Sequence, residues 1–212
     1  MKFGETIRGF EGQPLTRQIL MDLLKDYKRP YDKISEMVKQ GELIQVKRGI
    51  FVPGPKLHMG QPEPFLLANH LAGPSYVSLE TALSHWGLIP EQVFETASAT
   101  TGRSKSYRTQ VGRFSYVHLP LPYYSFGQQR IELREKQAAL IATPEKALCD
   151  KVVATSGLDF RSVAQLLAWL TEDMRMDTDA LRKLNINMIS SWLEASPKKR
   201  SLGLLVKTLE GL

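Results

Sequence analysis

The 212-residue chain holds a single cysteine, Cys149. One thiol cannot form an internal disulfide, so a disulfide-stapled scaffold is excluded and a reducing compartment fits. Histidine is nearly as scarce. His58, His70, His85 and His118 are widely separated and form no HExxH or Cys/His spacing, so no metal centre and no cofactor are expected. No apolar run approaches the ~20 residues of a membrane helix. Met1 to Phe10 lacks the apolar core of a secretory signal. A cytoplasmic protein that meets no membrane is expected. No Gly-rich phosphate loop and no GxSxG elbow occurs. Between Glu95 and Glu132 there is no acidic residue at all.

What is present is ordinary for a folded chain. Hydrophobic residues make up 42% and charged residues 24%, enough to bury a core and to argue against disorder. The length suits one large or two small domains. Lysine and arginine exceed the acids by 28 to 22, a net charge of +6. That excess is compatible with a nucleic-acid partner, although many basic proteins bind none.

The spacing divides the chain into an N-terminal unit (1–53), a linker (54–64) and a C-terminal domain (65–212) with a helical tail from about 159. In the first unit Pro14 and Thr16 open a helix whose Ile19, Leu20, Leu23, Leu24 and Tyr27 make one apolar face. A second helix starts at Pro30, with Tyr31, Ile34, Met37 and Val38 on one side and Asp32, Ser35, Glu36 and Lys39 on the other. "ELIQVKRGIFVP" then reads as a hairpin turning at Gly49. "PGPKLHMGQPEP" is dense in Pro and Gly and reads as the linker. Beyond it, Ser78 is expected to cap a helix stopped at Gly87. β-like runs follow, and Thr143 and Pro144 open a helix stopped at Gly157. Asp177 or Thr178, Asn187 and Ser196 are candidate caps in the tail. The fold class expected is α+β: a winged helix-turn-helix, then a mixed α/β domain with a helical tail.

Two constellations carry chemistry. A helix in the major groove brings its N-terminal residues to the base edges, and phosphates need cations and amides. Here Lys28 and Arg29 stand at the helix start and Lys47 and Arg48 at the hairpin tip, with Lys33, Ser35, Lys39 and Gln40 along the helix. Asp32 and Glu36 would repel phosphate, although a carboxylate can accept from cytosine. The competing reading is a helix with solvated charges. The second constellation is the acid-free window, in which Arg103, Lys105, Arg108 and Arg113 form a basic turn region between strands. Its aromatic neighbours read best as sheet core. The cations are either a solvated loop or a surface for nucleic acid or an acidic protein. "PEKALCDK" carries Glu145, Lys146, Asp150 and Lys151. A capped helix with i,i+4 charges explains it more simply than a nuclease-like cluster, so no enzyme activity is expected.

Four blocks, in order, carry a resemblance: "YDKISEMVKQGELIQVKRGIFV", "YVSLETALSHWGLIPE", "TTGRSKSYRTQVGRFSYVHL" and "IATPEKALCDKVV". The chain resembles the AbiEi family of type IV antitoxins and related transcriptional regulators of bacterial phage-defence (abortive infection) systems. The resemblance implies that a winged helix-turn-helix binds inverted repeats in double-stranded DNA and represses the protein's own operon. It also implies that the C-terminal domain counteracts a nucleotidyltransferase-like toxin, without requiring a stable complex. It places Lys28, Arg29, Lys33, Ser35, Lys39, Lys47 and Arg48 on the DNA-reading helix and wing. It places Arg103, Lys105, Arg108 and Arg113 in the antitoxin domain. The alternative is a stand-alone regulator whose C-terminal domain senses a ligand or mediates association.

Overall fold

Thr16 starts the first helix: its hydroxyl accepts a hydrogen bond from the Ile19 amide at 3.2 Å. The computed structural model describes residues 6–134, 136–157 and 159–212. Its N-terminal unit runs β1 (Leu15–Thr16), α1 (Arg17–Leu23), α2 (Pro30–Gln40), β2 (Leu43–Lys47) and β3 (Ile50–Pro53). The strands form an antiparallel sheet in the order β1-β3-β2. Pro30 occupies the first turn of α2, where its missing N–H costs nothing, and Gly41 ends the helix in the left-handed region at φ 75°. α1 stops at Leu23, four residues short of the expected apolar face, and Tyr27 is 43% exposed in the turn that follows. Tyr31 is likewise 58% exposed, while Ile34 and Met37 are buried as their spacing requires. The helices and one hairpin face enclose Ile7, Leu15, Leu20, Leu24, Ile34, Met37, Leu43 and Phe51.

The hairpin has a second buried face. Val46 and Val52 belong to the core of the C-terminal domain, with Ile44 and Ile50 packed against it. Segment 54–64 holds one short 3-10 turn, Pro55–Leu57, and its ends are pinned. The Gly54 amide donates to Glu42 O at 2.6 Å, and a Cβ at Gly54 would lie 2.2 Å from Gly41 O. The Glu63 amide donates to Gln137 Oε1 at 2.7 Å. The expected linker is therefore a wedge of backbone against both units.

From Pro64 the chain builds α3 (Pro64–Leu71), β4 (Ser75–Val77), α4 (Leu79–His85), β5 (Glu95–Thr100), β6 (Lys105–Thr109), β7 (Gly112–His118), β8 (Gln128–Arg134), β9 (Gln137–Ala142) and α5 (Pro144–Ala154). The six strands form one mixed sheet, β6-β7-β5-β4-β9-β8. The pairs β5–β7 and β4–β9 are parallel, and the others antiparallel. α3 packs on one face, where Tyr116 Oη donates to Ala68 O at 2.6 Å. α5 packs on the other, where Tyr76 meets Asp150. The tail adds α6 (Val163–Ala168) with a π turn (Trp169–Asp173), α7 (Thr178–Arg182), α8 (Ile186–Ser191) and α9 (Lys199–Glu210). Asp177 caps α7 as expected, but Asn185, not Asn187, caps α8. Ser196 is not the α9 cap: Lys198 holds that position without a side-chain bond.

The tail covers the outward side of α5. Glu145 Oε1 accepts from the Asn185 amide at 3.0 Å, and Lys198 Nζ donates to Val152 O and Thr155 O at 3.2 and 2.6 Å, where a cation suits a helix C-terminus. α5 is thus buried on nearly every side; its Lys146–Asp150 pair is the i,i+4 pair expected, and the fold encloses it. Lys146 and Asp150 are both fully buried, their charged atoms 2.8 Å apart. Asp150 Oδ2 accepts from Tyr76 Oη at 2.9 Å and from Ser78 Oγ at 2.7 Å. Lys146 Nζ donates to Tyr123 O at 3.0 Å and lies 3.3 Å from the centre of the Tyr123 ring. Burial pushes the Lys146 ammonium below its ordinary range, and the Asp150 charge opposes that shift. Ser78 stands at the start of α4 but spends its hydroxyl on Asp150, not on the helix.

Candidate nucleic-acid interface

α2 carries two polar stripes. On one, Arg29 pairs with Asp32 at 3.5 Å, Lys33 with Glu36 at 3.1 Å, and Gln40 Nε2 donates to Glu36 Oε1 at 2.8 Å. The hydrogen bond from Lys33 to Glu36 holds the Lys33 pKa above its ordinary value. Three of the expected DNA-reading residues thus spend their polar atoms on the two carboxylates beside them. Asp32 and Glu36 act first on their own helix, as i,i+3 and i,i+4 neighbours do.

The adjacent stripe is Tyr31, Ser35 and Lys39, one helical turn apart each time. It borders a groove of about 290 Å³ lined by Arg17, Tyr31, Ser35, Lys39 and Gln45 over the apolar floor of Val38 and Phe51. No acidic residue lines it. The Arg17 guanidinium lies 5.9 Å above the Tyr31 ring, and the Arg17 amide donates to Gly49 O at 2.9 Å, joining the start of α1 to the hairpin turn. Ser35 is exposed, and its Oγ donates to Tyr31 O at 3.0 Å. Arg48 is exposed at that turn, where Gly49 takes φ 85°. Lys28 is exposed in the turn before α2. Among the described ion pairs none involves Arg17, Lys28, Lys39 or Arg48.

The structure therefore gathers Ser35 and Lys39 and adds Arg17, Tyr31 and Gln45, which sequence reasoning missed; Arg48 stands in the hairpin turn that the Arg17 amide joins at Gly49. Arg17 and Tyr31 lie on different helices, so no helical spacing could connect them. Tyr31 carried a signal that pointed the wrong way, towards the core.

Lys47 is the correction. Its side chain does not stand at the hairpin tip. Nζ donates to Leu71 O at 2.8 Å and lies 5.5 Å over the Tyr107 ring of the C-terminal sheet. The cause is a bulge: pairing runs Gln45↔Phe51 and then Lys47↔Ile50, which leaves Val46 as the extra residue. Lys47 is thereby turned from the Gln45 face to the Ile44 and Val52 face, which is packed on the other domain.

The second basic set is also placed differently from expectation. Lys105 and Arg108 lie on strand β6 and Arg113 on β7, so the basic turn region is mostly strand; Arg103 precedes it, exposed, in irregular backbone. Phe114, Tyr116, Tyr123 and Tyr124 are buried. They serve as sheet core and present no ring for a base to stack on.

Glu145 and Asp150 are held inward by Asn185, Tyr76 and Ser78. The described residues include no group of three or more His, Cys, Asp or Glu that could hold a metal ion. No described helix is long and apolar enough to cross a membrane. Comparison with protein-family models and with curated proteins finds no match to this chain.

Proposed function

We propose that the N-terminal unit is a winged helix-turn-helix that binds operator DNA, and that the chain is the autorepressing antitoxin of a type IV toxin–antitoxin system. The acid-free groove of Arg17, Tyr31, Ser35, Lys39 and Gln45 beside Arg48 carries the DNA-binding part. It joins exposed cations for phosphate to groups that hydrogen-bond bases: the Tyr31 phenol and Ser35 hydroxyl on the first two turns of the second helix and the Gln45 amide on β2. Ile34 and Met37 of that helix share a core with Leu43 and Phe51 of the hairpin, a packing that supports reading the hairpin as a wing. The antitoxin part rests on the AbiEi resemblance. Two of its blocks meet in the C-terminal core, one supplying Tyr76 and Ser78 and the other Lys146 and Asp150, so they fit one shared structural site. The functional partner is then a nucleotidyltransferase-like toxin. A stand-alone regulator is the second reading; it fits the close packing of hairpin and sheet, which would pass a signal between the two units.

Salt titration of operator binding tests the interface. Arg48→Ala is expected to flatten the slope of log K against log salt by about 0.9, the contribution of one lost phosphate contact. Lys47→Ala is expected to leave that slope unchanged, because its ammonium points at Leu71 O and Tyr107. Equal slopes for wild type and Arg48→Ala would remove Arg48 from the interface.

Antitoxin activity is tested by co-expression with a neighbouring nucleotidyltransferase-like reading frame. Removing residues 1–53 is a poor probe, since it strips Val46 and Val52 from the C-terminal core. The paired change Lys39→Ala with Arg48→Ala alters only exposed groups. It is expected to abolish repression while preserving rescue from the toxin. Absence of rescue by the wild-type protein favours the stand-alone regulator.

A further inference from the structure

The helices leave part of the large sheet uncovered. β6 and β7 turn Tyr107, Phe114 and Tyr116 to the side of α3 and the hairpin. Their other face carries Ser106, Arg108, Arg113, Ser115 and Val117, none of them buried. Where this face meets α4 and α5 lies a groove of about 620 Å³, floored by Ala97, Ser115 and Val117 and walled by Val93, Phe94 and Ala154. Phe94 is 85% exposed, a large apolar cost for a side chain with no partner.

The charges beside the groove are as unusual as its floor. Arg108 stands directly opposite Arg113 in the β6–β7 register. Like charges in that position repel each other. Neither arginine forms one of the described ion pairs; Glu95 stands opposite Arg113 in the β5–β7 register without pairing with it, and no further acid occurs before Glu132, so Arg108 has no acid beside it on either neighbouring strand position.

We infer that this face docks a partner protein through an acidic amphipathic segment. Its apolar side chains seat over Val93, Phe94 and Val117, and its carboxylates lie between Arg108 and Arg113. Charge complementarity selects this occupant. Single-stranded nucleic acid fits poorly, because the groove offers one aromatic platform, Phe94, and successive bases need several. A second copy would bring a like net charge of +6 to the contact. The inference uses no residue of α2 and stands independently of operator binding.

The test is a random linear peptide library displayed on phage and panned against the full-length protein. The enriched peptides are expected to combine apolar residues with aspartate or glutamate. Titration of the best enriched peptide, labelled with fluorescein, should then weaken about tenfold with Phe94→Ala. It should weaken by more than tenfold with Arg108→Glu plus Arg113→Glu, and more steeply with salt for wild type than for that variant. All three side chains are exposed, and unchanged urea midpoints would confirm intact folds. No enrichment, a basic or uncharged consensus, or binding indifferent to these changes overturns the proposal. So does an oligothymidylate that binds and is lost in the arginine variant, which assigns the face to nucleic acid. Self-association in sedimentation that Phe94→Ala abolishes assigns it to a second copy and overturns the proposal too.

Discussion

Asp150→Asn is expected to destabilise the protein by about 3–5 kcal/mol at neutral pH, the usual cost of stranding one member of a buried ion pair. The amide oxygen can still accept from Tyr76 and Ser78, so shape and those hydrogen bonds persist. Its NH2 group then faces the Lys146 ammonium, donor against donor. Lys146 is fully buried and cannot turn to water, so it would shed its proton instead. Deprotonating a lysine of ordinary pKa 10.5 costs about 5 kcal/mol at pH 7, which sets the ceiling. That ceiling falls by about 1.4 kcal/mol per pH unit, so the penalty of Asp150→Asn should shrink as pH rises towards 10. Adding Lys146→Met should recover most of the loss. Lys146→Met alone should cost less, because Asp150 keeps two hydroxyl donors. Urea unfolding of the four proteins at two pH values gives the coupling. An Asp150→Asn penalty below about 1 kcal/mol, or one independent of pH, would show that the pair does not govern this core.

Alkaline pH should unfold the protein cooperatively. Tyr76, Tyr116 and Tyr123 are buried, and burial pushes each phenol well above its ordinary value of 10.0; the Asp150 charge adds to the rise at Tyr76 and Tyr123. Burial also raises the Cys149 thiol above 9.0, again with help from Asp150. The native state keeps these protons and the unfolded chain releases them. Stability is therefore complete below pH 9 and falls as pH rises through the unfolded values. Each group removes about 1.4 kcal/mol per pH unit, so the three tyrosines together remove about 4 kcal/mol per unit above pH 10. Lys146 acts in the opposite sense, its lowered pKa adding stability up to pH 10.5, but it is one group against four. Against a typical stability of about 5–15 kcal/mol, unfolding is expected within one to three units of pH 10. Urea midpoints from pH 8 to 11 should drop steeply after 9.5, with tyrosinate absorbance rising together with loss of helix. A midpoint flat to pH 11 would contradict the burial of these rings.

Periodicity located α2, β2, β3, β7, β9 and α5 because each signal is local. An apolar residue every third or fourth place, or every second, records which side of its own element faces a core. Pro30, Gly41 and Thr143 mark ends for equally local reasons, a missing amide, a positive φ and a side-chain oxygen. The errors have a common cause. β1 is two residues long and exists only through pairing with β3. Tyr31 shares the spacing of Ile34 but sits on the first turn, beyond the reach of the core, above Arg17. The π turn after α6 and the bulge at Val46 arise from packing and pairing, which leave no local mark.

Charge was the least legible property, and most of the site is charge. The residue types alone determined a basic, single-cysteine, α+β chain whose cations gather at a helix, a hairpin and an acid-free window. Which of those cations stay available was decided only by the tertiary structure. Glu36 occupies Lys33, the bulge turns Lys47 onto Leu71, and the tail buries Lys146 beside Asp150, while Lys39, Arg48, Arg108 and Arg113 remain exposed. A lysine in a sequence specifies a charge and a reach of several ångströms. Whether it meets a carboxylate, a carbonyl or water depends on segments far along the chain, and only folding brings those segments within that reach.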